Sequence, residues 1–405
     1  MTDNGKIDAV IVAGARTPIG TAFKGTLKDT TAMELAQVVV NEVQRRSGLD
    51  ASQIDDIILA ESNYGGGDIA RHAAVVAGML QVPGQSVNRH CAGSLTAIGN
   101  AAAAIIAGAE KAIIAGGTNS SSTAPWQKFR TPGTVDEFTE KWMPPSHPDT
   151  AEAPNMDMSI TVGWNTAKEV GITREEMDAW AVRSHQRAIA AIEAGSFKDE
   201  IVPVQALQAD GSRVEFTTDE HPRRDSTLEK LAGLKLLHPE IEGFSVTAGS
   251  ASGINDAAAA VAIVGSELAA EQGLIPLATV RAWAASAVEP ARTGLAVLDV
   301  IPKVLGRADV GIADVALWEI NEAFASVPIA ACKKLGIDEN IVNVMGSGCS
   351  LGHPVAASGA RMVISLVHEL RRRGGGIGVA AMCAGGGQAG AVVIEVPTDS
   401  PGNEH

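Results

Sequence analysis

Aromatic side chains are scarce: Phe, Trp and Tyr make up 3% of the 405 residues, while glycine occurs 43 times. Cores built from this chain must close through small residues and backbone-to-backbone approach rather than through large rings. Cysteine is scarce too. Cys91, Cys332, Cys349 and Cys383 are too few for a disulfide framework, and no CxxC pair occurs. No apolar run approaches the ~18 residues a membrane-spanning helix needs. The opening MTDNGKIDAV carries no apolar signal segment. Excess positive charge is also missing: 32 basic side chains face 47 acidic ones, a formal charge of -15. That argues against nucleic acid or an anionic membrane as partner, though a local patch still suits a phosphate-bearing ligand. Together these absences predict a cytoplasmic, reducing location.

What is present has a regular texture. The length suggests two or three domains. Short β-branched runs alternate with Ala-rich helical stretches, which predicts an α/β architecture with buried sheets. Strands are expected at 7–12, 56–60, 111–115, 341–344 and 377–382, and amphipathic helices at 31–48 and 173–195. A weak internal echo runs through the chain. Ser86-Val87-Asn88 leads through a Gly/Ser stretch into a small-residue helix near 95–108, then to a strand ending in Gly116-Gly117. Downstream, Ile341-Val342-Asn343 leads through Gly346, Gly348 and Gly352 into a helix near 356–372, then to a strand ending near Gly385. Two similar α/β halves fit this echo. Residues 119–155, rich in Ser, Thr and Pro with Trp126 and Trp142, have little period. A stretch of that kind reads as a functional loop. The expected division is a first half at 1–118 plus 244–273, an inserted loop domain at 119–243 and a second half at 274–398.

Cys91 lies between a strand and a small-residue helix, in Asn88-Arg89-His90-Cys91-Ala92-Gly93-Ser94. Unpaired N–H groups and the positive helix end are expected to lower its pKa and favour thiolate. His90 is adjacent and points elsewhere, so it reads as structural. A base is better sought at His353, held in a Gly-rich turn by Gly352 and Pro354. Cys383 follows a strand and precedes Ala384-Gly385-Gly386-Gly387, where backbone can approach a ligand. From local context alone, a buried structural thiol competes with a reactive one at both cysteines. Cys332 and Cys349 carry no such context. Gly385 to Gly390 matches GxGxxG, but a strand rather than a helix is expected after it, so it is no dinucleotide fingerprint. Cys349 and His353 lack a second ligand pair for zinc.

These segments together resemble the thiolase family. The resemblance runs through Ala15-Arg16-Thr17-Pro18-Ile19-Gly20, the Cys91 segment, Ala115-Gly116-Gly117, Ile172-Thr173-Arg174-Glu175-Glu176 and Arg183-Ser184-His185-Gln186. It continues through 246–256, Asn321-Glu322-Ala323-Phe324, Gly352-His353-Pro354, Ser358-Gly359-Ala360-Arg361 and Cys383 to Gln388. The resemblance implies two α/β halves in five αβαβα layers, a loop-domain insertion, and a homodimer or homotetramer. It implies ping-pong acyl transfer between coenzyme A thioesters, by condensation of acetyl-CoA or thiolysis of 3-ketoacyl-CoA. Acetyl-CoA, acyl-CoA and free CoA are then substrates, and no cofactor or metal is expected.

By the same resemblance Cys91 becomes the acyl-enzyme, His353 activates it and Cys383 is a second acid/base. One oxyanion hole would use His353 with a water held by Asn321, the other the backbone N–H groups of Cys91 and Gly385. Ser252 would contact the pantetheine arm, and Arg223 or its neighbour Arg224 would face the nucleotide. Departures occur at Ala92-Gly93-Ser94, Met345-Gly346-Ser347-Gly348, Met158-Ser159-Ile160, Trp164-Asn165 and Ser250. The regions of Met158 and Ser347 are expected to touch the acyl pocket and alter acyl length or branching. Two alternatives stand beside this reading. A decarboxylating ketoacyl synthase would lack Cys383 and carry a second His or Asn. A non-catalytic acyl-CoA-binding homologue would be expected to lose Cys91, His353 or Cys383.

Overall fold

The computed structural model describes residues 7–62, 64, 67–139 and 145–398, so Trp142 lies outside the described residues. Nine strands form the main ladder: β1 (Ala9–Arg16), β2 (Asp56–Ala60), β3 (Gly84–Val87), β4 (Ala112–Ser120), β5 (Asn255–Gly265), β6 (Ala278–Ala287), β7 (Val315–Ile320), β8 (Gly376–Ala384) and β9 (Gln388–Val396). Their spatial order is β3-β2-β4-β5-β1-β6-β9-β8-β7, and the short strand Gly20–Thr21 extends β5's ladder. β1 and β6 meet antiparallel at Val10–Thr279 and Ile11–Ala278, which joins two halves of the same plan. In each half the first strand pairs antiparallel with the last, β1 with β5 and β6 with β9. The last then pairs antiparallel with β4 or β8, which lies parallel to β2 or β7. The sequence echo is therefore a repeat of topology.

One expected strand is corrected. Residues 341–344 make a single parallel bridge, Trp318–Val342, where the first half has the full strand β3 parallel to β2. Asn343 sits at φ 50°. Its side-chain amide takes the Ile320 N–H at 2.8 Å and donates to the Ile320 carbonyl at 2.8 Å. A side chain thus replaces the ladder bonds, and the segment needs no strand geometry.

The helices that matter here are α1 (Ala32–Ser47), α2 (Gly93–Ile106), α3 (Arg174–Glu193), α4 (Val297–Ala308) and α5 (Ser358–Arg372). Thr31 with Glu34 and Thr173 with Glu176 make capping boxes that start α1 and α3. α1 packs on β1, β4 and β5, and α4 on β6 and β9, while α2 and α5 touch strands of both halves. Strand alternation supplies the layers. Val10 and Val12 pack with Leu35 and Val39 of α1, whereas Ala9 and Ile11 join Ile98 of α2 in the middle. In the second half Val379 and Ala381 pack with Val300 of α4, and Ala380 and Met382 turn inward to α5. Five layers result, αβαβα. Among the described residues no helix is long and apolar enough to cross a membrane.

Between β4 and β5 the chain carries α3 and a hairpin, Val204–Leu207 with Arg213–Phe216. Arg16, at the end of β1, fastens this insertion. Its guanidinium is 1% exposed and pairs with Asp219 at 2.8 Å and Glu200 at 3.2 Å. Replacing Arg16 with Met leaves two buried carboxylates without their cation. Loss of ~3–5 kcal/mol is expected, read as a lower urea midpoint; an unchanged midpoint contradicts this role.

Candidate active site

The turn before α2 is built without side-chain caps. Ala92 N–H bonds Arg89 O and Gly93 N–H bonds His90 O, while His90 takes φ 45°. This leaves Cys91 at the helix entrance with partial access to the outside. His353 is placed from the other half. Its N–H donates to Asn255 Oδ1 at 3.0 Å, and a Cβ on Gly352 would lie 2.3 Å from that oxygen. Glycine at φ 104° is therefore required there. Cys383, near the end of β8, completes the group.

Cys91, His353, Cys383, Gly385, Ser252 and Met158 line one cavity of about 330 Å³. Its remaining walls include Met156, Val162, Thr293, Phe324 and Val355. Thr293 fixes the glycine loop: its hydroxyl accepts from Gly387 N–H at 2.9 Å and donates to Pro290 O at 2.6 Å. Nothing in local sequence context singled out Thr293, Met156 or Val355, which come from separate segments. Phe324 lies within the 321–324 block, where Asn321 is the residue with an implied role.

Burial decides the electrostatics, and it corrects the expected low thiol pKa. Burial pushes Cys91 up to about 11, although the Gly385 and Cys91 backbone N–H groups pull the other way. Cys383 is pushed further up by burial and by Cys91 beside it. His353 falls to about 4 through burial, with the Arg361 charge adding to the effect. The resting site is a neutral thiol beside a neutral imidazole. His353 Nδ1 lies 2.7 Å from Ser358 Oγ, and that hydroxyl donates to Pro354 O at 3.0 Å. The hydroxyl proton being spent, Nδ1–H donates to Ser358 and Nε2 keeps its lone pair.

Asn321 Nδ2 stands 3.5 Å from both ring nitrogens of His353, at the long limit for a hydrogen bond to either. Its Oδ1 is buried and has no hydrogen-bond partner among the described residues. Neighbouring Glu322 accepts from Trp180, Ser184, Asn343 and the Cys349 N–H. Cys349 is thereby part of the scaffold.

Arg223 is not in this cavity. It lines a second one of about 490 Å³ with Lys24 and His221, and Ile254 lies on both. Arg224 instead pairs with Glu193, which separates the two adjacent arginines. Ser347 also departs from expectation. It bonds Arg361 at 3.0 Å and Glu319 at 3.3 Å in a buried cluster and lines no part of the main cavity. Its hydroxyl is held by that ion pair. Among the described residues no group of three His, Cys, Asp or Glu side chains is arranged to hold a metal.

Comparison with known proteins places the whole chain. Residues 9–267 match the thiolase N-terminal domain and residues 274–396 the thiolase C-terminal domain. An acetyl-CoA acetyltransferase of Cupriavidus necator is 39% identical, covering 96% of this chain and 99% of its own. A 3-ketoacyl-CoA thiolase of Bacillus subtilis is 38% identical over the same shares. The crystal structure of the Bacillus anthracis acetyl-CoA acetyltransferase superposes with a TM-score of 0.87 at 37% identity, covering 97% of this chain and 100% of that one. The chain belongs to the thiolase family.

Proposed function

We propose that this protein is an acyltransferase that moves acyl groups between coenzyme A thioesters through a Cys91 acyl-enzyme. One observation carries the reading: Cys91, His353 and the Cys383–Gly385 segment come from three separate parts of the chain and meet on a single cavity. In thiolysis Cys91 Sγ attacks the 3-keto carbon as its proton passes to His353 Nε2. The bond between the α and β carbons then breaks, and the departing acetyl-CoA enolate takes a proton from Cys383. A high thiol pKa suits Cys383 as that acid. Incoming CoA gives its proton to the Cys383 thiolate and attacks the acyl-enzyme. His353 returns its proton to Cys91. No resident cofactor enters this cycle.

Negative charge appears on a thioester or keto oxygen in each half-reaction. The Gly385 and Cys91 N–H groups already point at the Cys91 sulfur, which supports their role as one oxyanion hole. The open Asn321 Oδ1 suits a water that, with His353, makes the other. Ser252 and Met158 border the path for pantetheine and acyl chain. Arg223 and Lys24, against Glu220, give the adjoining cavity two cationic side chains to one acidic, which supports nucleotide phosphates lying there. Four free cysteines fit a reducing cytoplasm. Assembly into a homodimer or homotetramer is supported by the edge strand β3 and by exposed Val75, Val76 and Leu80 nearby. Presence of Cys383 disfavours the decarboxylating alternative.

Thiolysis of 3-ketoacyl-CoAs, followed by loss of enolate absorbance, tests the reading. Replacing Cys91 with Ala is expected to remove at least about 10³-fold of kcat. No thiolysis of any chain length by the intact protein overturns it. Replacing His353 with Gln is expected to slow both turnover and alkylation of Cys91 by about 10²–10⁴-fold. Because the folded His353 pKa is lowered to about 4, its neutral form persists as pH falls and is lost only through that value. The acid limb of kcat/KM assigned to His353 should therefore lie well below the ordinary imidazole range. A limb at the ordinary imidazole value that vanishes in the Gln variant contradicts the neutral pair.

A further inference from the structure

Met156 and Met158 both face the cavity, and Asp157 between them faces away from it. Asp157 Oδ1 takes the Ser159 N–H at 3.0 Å and the Ser159 hydroxyl at 2.6 Å, starting the helical turn Ser159–Trp164. Its Oδ2 lies 2.7 Å from His238 Nε2, and His238 Nδ1 lies 2.7 Å from Glu240 Oε1. The far end of the same turn is also fastened to this segment. Trp164 packs on Phe244 with ring centroids 5.5 Å apart, and Phe244 meets the His238 ring edge-on at 5.1 Å. Between these anchors, Val162 reaches the cavity, and Gly163 lies against Phe324, which also lines it. The methionine wall is thus held from behind at two points by residues 238–244, none of which lines the cavity.

We propose that Asp157, His238 and Glu240 form a latch that positions the Met156–Met158 wall and so determines which acyl chains the site accepts. The proposal rests on the thioester reading above and adds positioning residues to it. Only a protonated imidazole can donate to both carboxylates at once; a neutral ring donates to one. The charged groups facing His238 are Glu240 and Asp157, and the Glu240 bond, followed by Asp157, raises its pKa above the ordinary value. A raised value means the full latch is present at low pH and is lost as pH rises through it.

The test compares kcat/KM for 3-ketoacyl-CoAs from acetoacetyl upward across neutral and mildly alkaline pH, with Cys91→Ala as the inactive control. In the wild type the ratio between long and short chains should drift toward one as pH rises. His238→Gln should bring that ratio toward one by about fivefold at the low-pH end, the loss of roughly one hydrogen bond, and leave it independent of pH. Its kcat on acetoacetyl-CoA should stay within about twofold. His238→Arg, which keeps a cation between the carboxylates, should retain the ratio and lose its pH dependence. Amide hydrogen exchange at residues 156–164 should quicken in His238→Gln and Asp157→Asn. A chain-length ratio identical in wild type and His238→Gln overturns the latch while leaving thiolysis standing. Unchanged exchange at 156–164 overturns it even where no thiolysis is found.

Discussion

The site depends on how closely α2 and α5 approach each other in the middle layer. Cys91 lies just before one helix and His353 just before the other, so the distance between the two side chains is set by this contact. A Cβ on Gly359 would come 2.7 Å from Leu95 Cγ and 2.9 Å from Leu95 N. Ser94 Oγ accepts from Ala360 N–H at 3.0 Å across the same seam. Around it, Gly117 lets β4 approach the Ala356 carbonyl, and Gly93 sits against Ala60. One added methyl at such a seam typically costs ~1–3 kcal/mol. Here it would also push the two helix entrances apart. A chain poor in aromatics and rich in glycine is what this middle layer requires.

Glu322 ties the second half to the insertion. Its buried carboxylate takes Trp180 Nε1 at 2.8 Å and Ser184 Oγ at 2.7 Å from α3, Asn343 Nδ2 at 2.9 Å, and Cys349 N–H at 3.0 Å. Four donors occupy the acceptor capacity of one carboxylate. Asn321 is the preceding residue, so its amide beside His353 inherits that rigidity. Arg16 does the corresponding work for the first half through Glu200 and Asp219. The insertion is therefore gripped by one buried charged group from each half, and both belong to segments recognisable in the sequence.

Legibility followed how local the cause was. Helices capped by their own residues, as at Thr31 with Glu34, had boundaries readable from the chain. The repeat of halves was visible because Asn88 and Asn343 follow similar apolar runs before similar glycine-bearing helices. The missing strand at 341–344 was not, since Asn343 folds its side chain onto Ile320, a contact 23 residues away. Cys91, His353 and Cys383 each carry a reactive group in a distinctive turn, but local context leaves a structural role open for each; the family resemblance singles them out, and the structure brings all three to one cavity. Thr293 and Met156 are not singled out, because a threonine or methionine acquires meaning only from what packs beside it. The Cys91 pKa runs opposite to the local expectation for a similar reason: helix-end N–H groups are local, whereas the burial that outweighs them comes from both halves.

That burial has a chemical consequence. A resting thiolate–imidazolium pair would have to hold two charges in a largely buried layer, where desolvation costs several kcal/mol per ion. Arg361 makes the imidazolium still less favourable, and although Glu319 pairs with it at 2.7 Å, burial holds that carboxyl up to about 7. Ser358 meanwhile keeps Nε2 free to accept a proton. In the proposed cycle, charge separation then becomes favourable only when a carbonyl carbon is in place and its oxygen takes the negative charge. That oxygen would sit where the Gly385 and Cys91 N–H groups already converge. The same burial that disfavours the thiolate at rest thus strengthens the dipoles that stabilise the transition state. It also protects a partly accessible cysteine from adventitious reaction between turnovers, because a protonated thiol is a poor nucleophile.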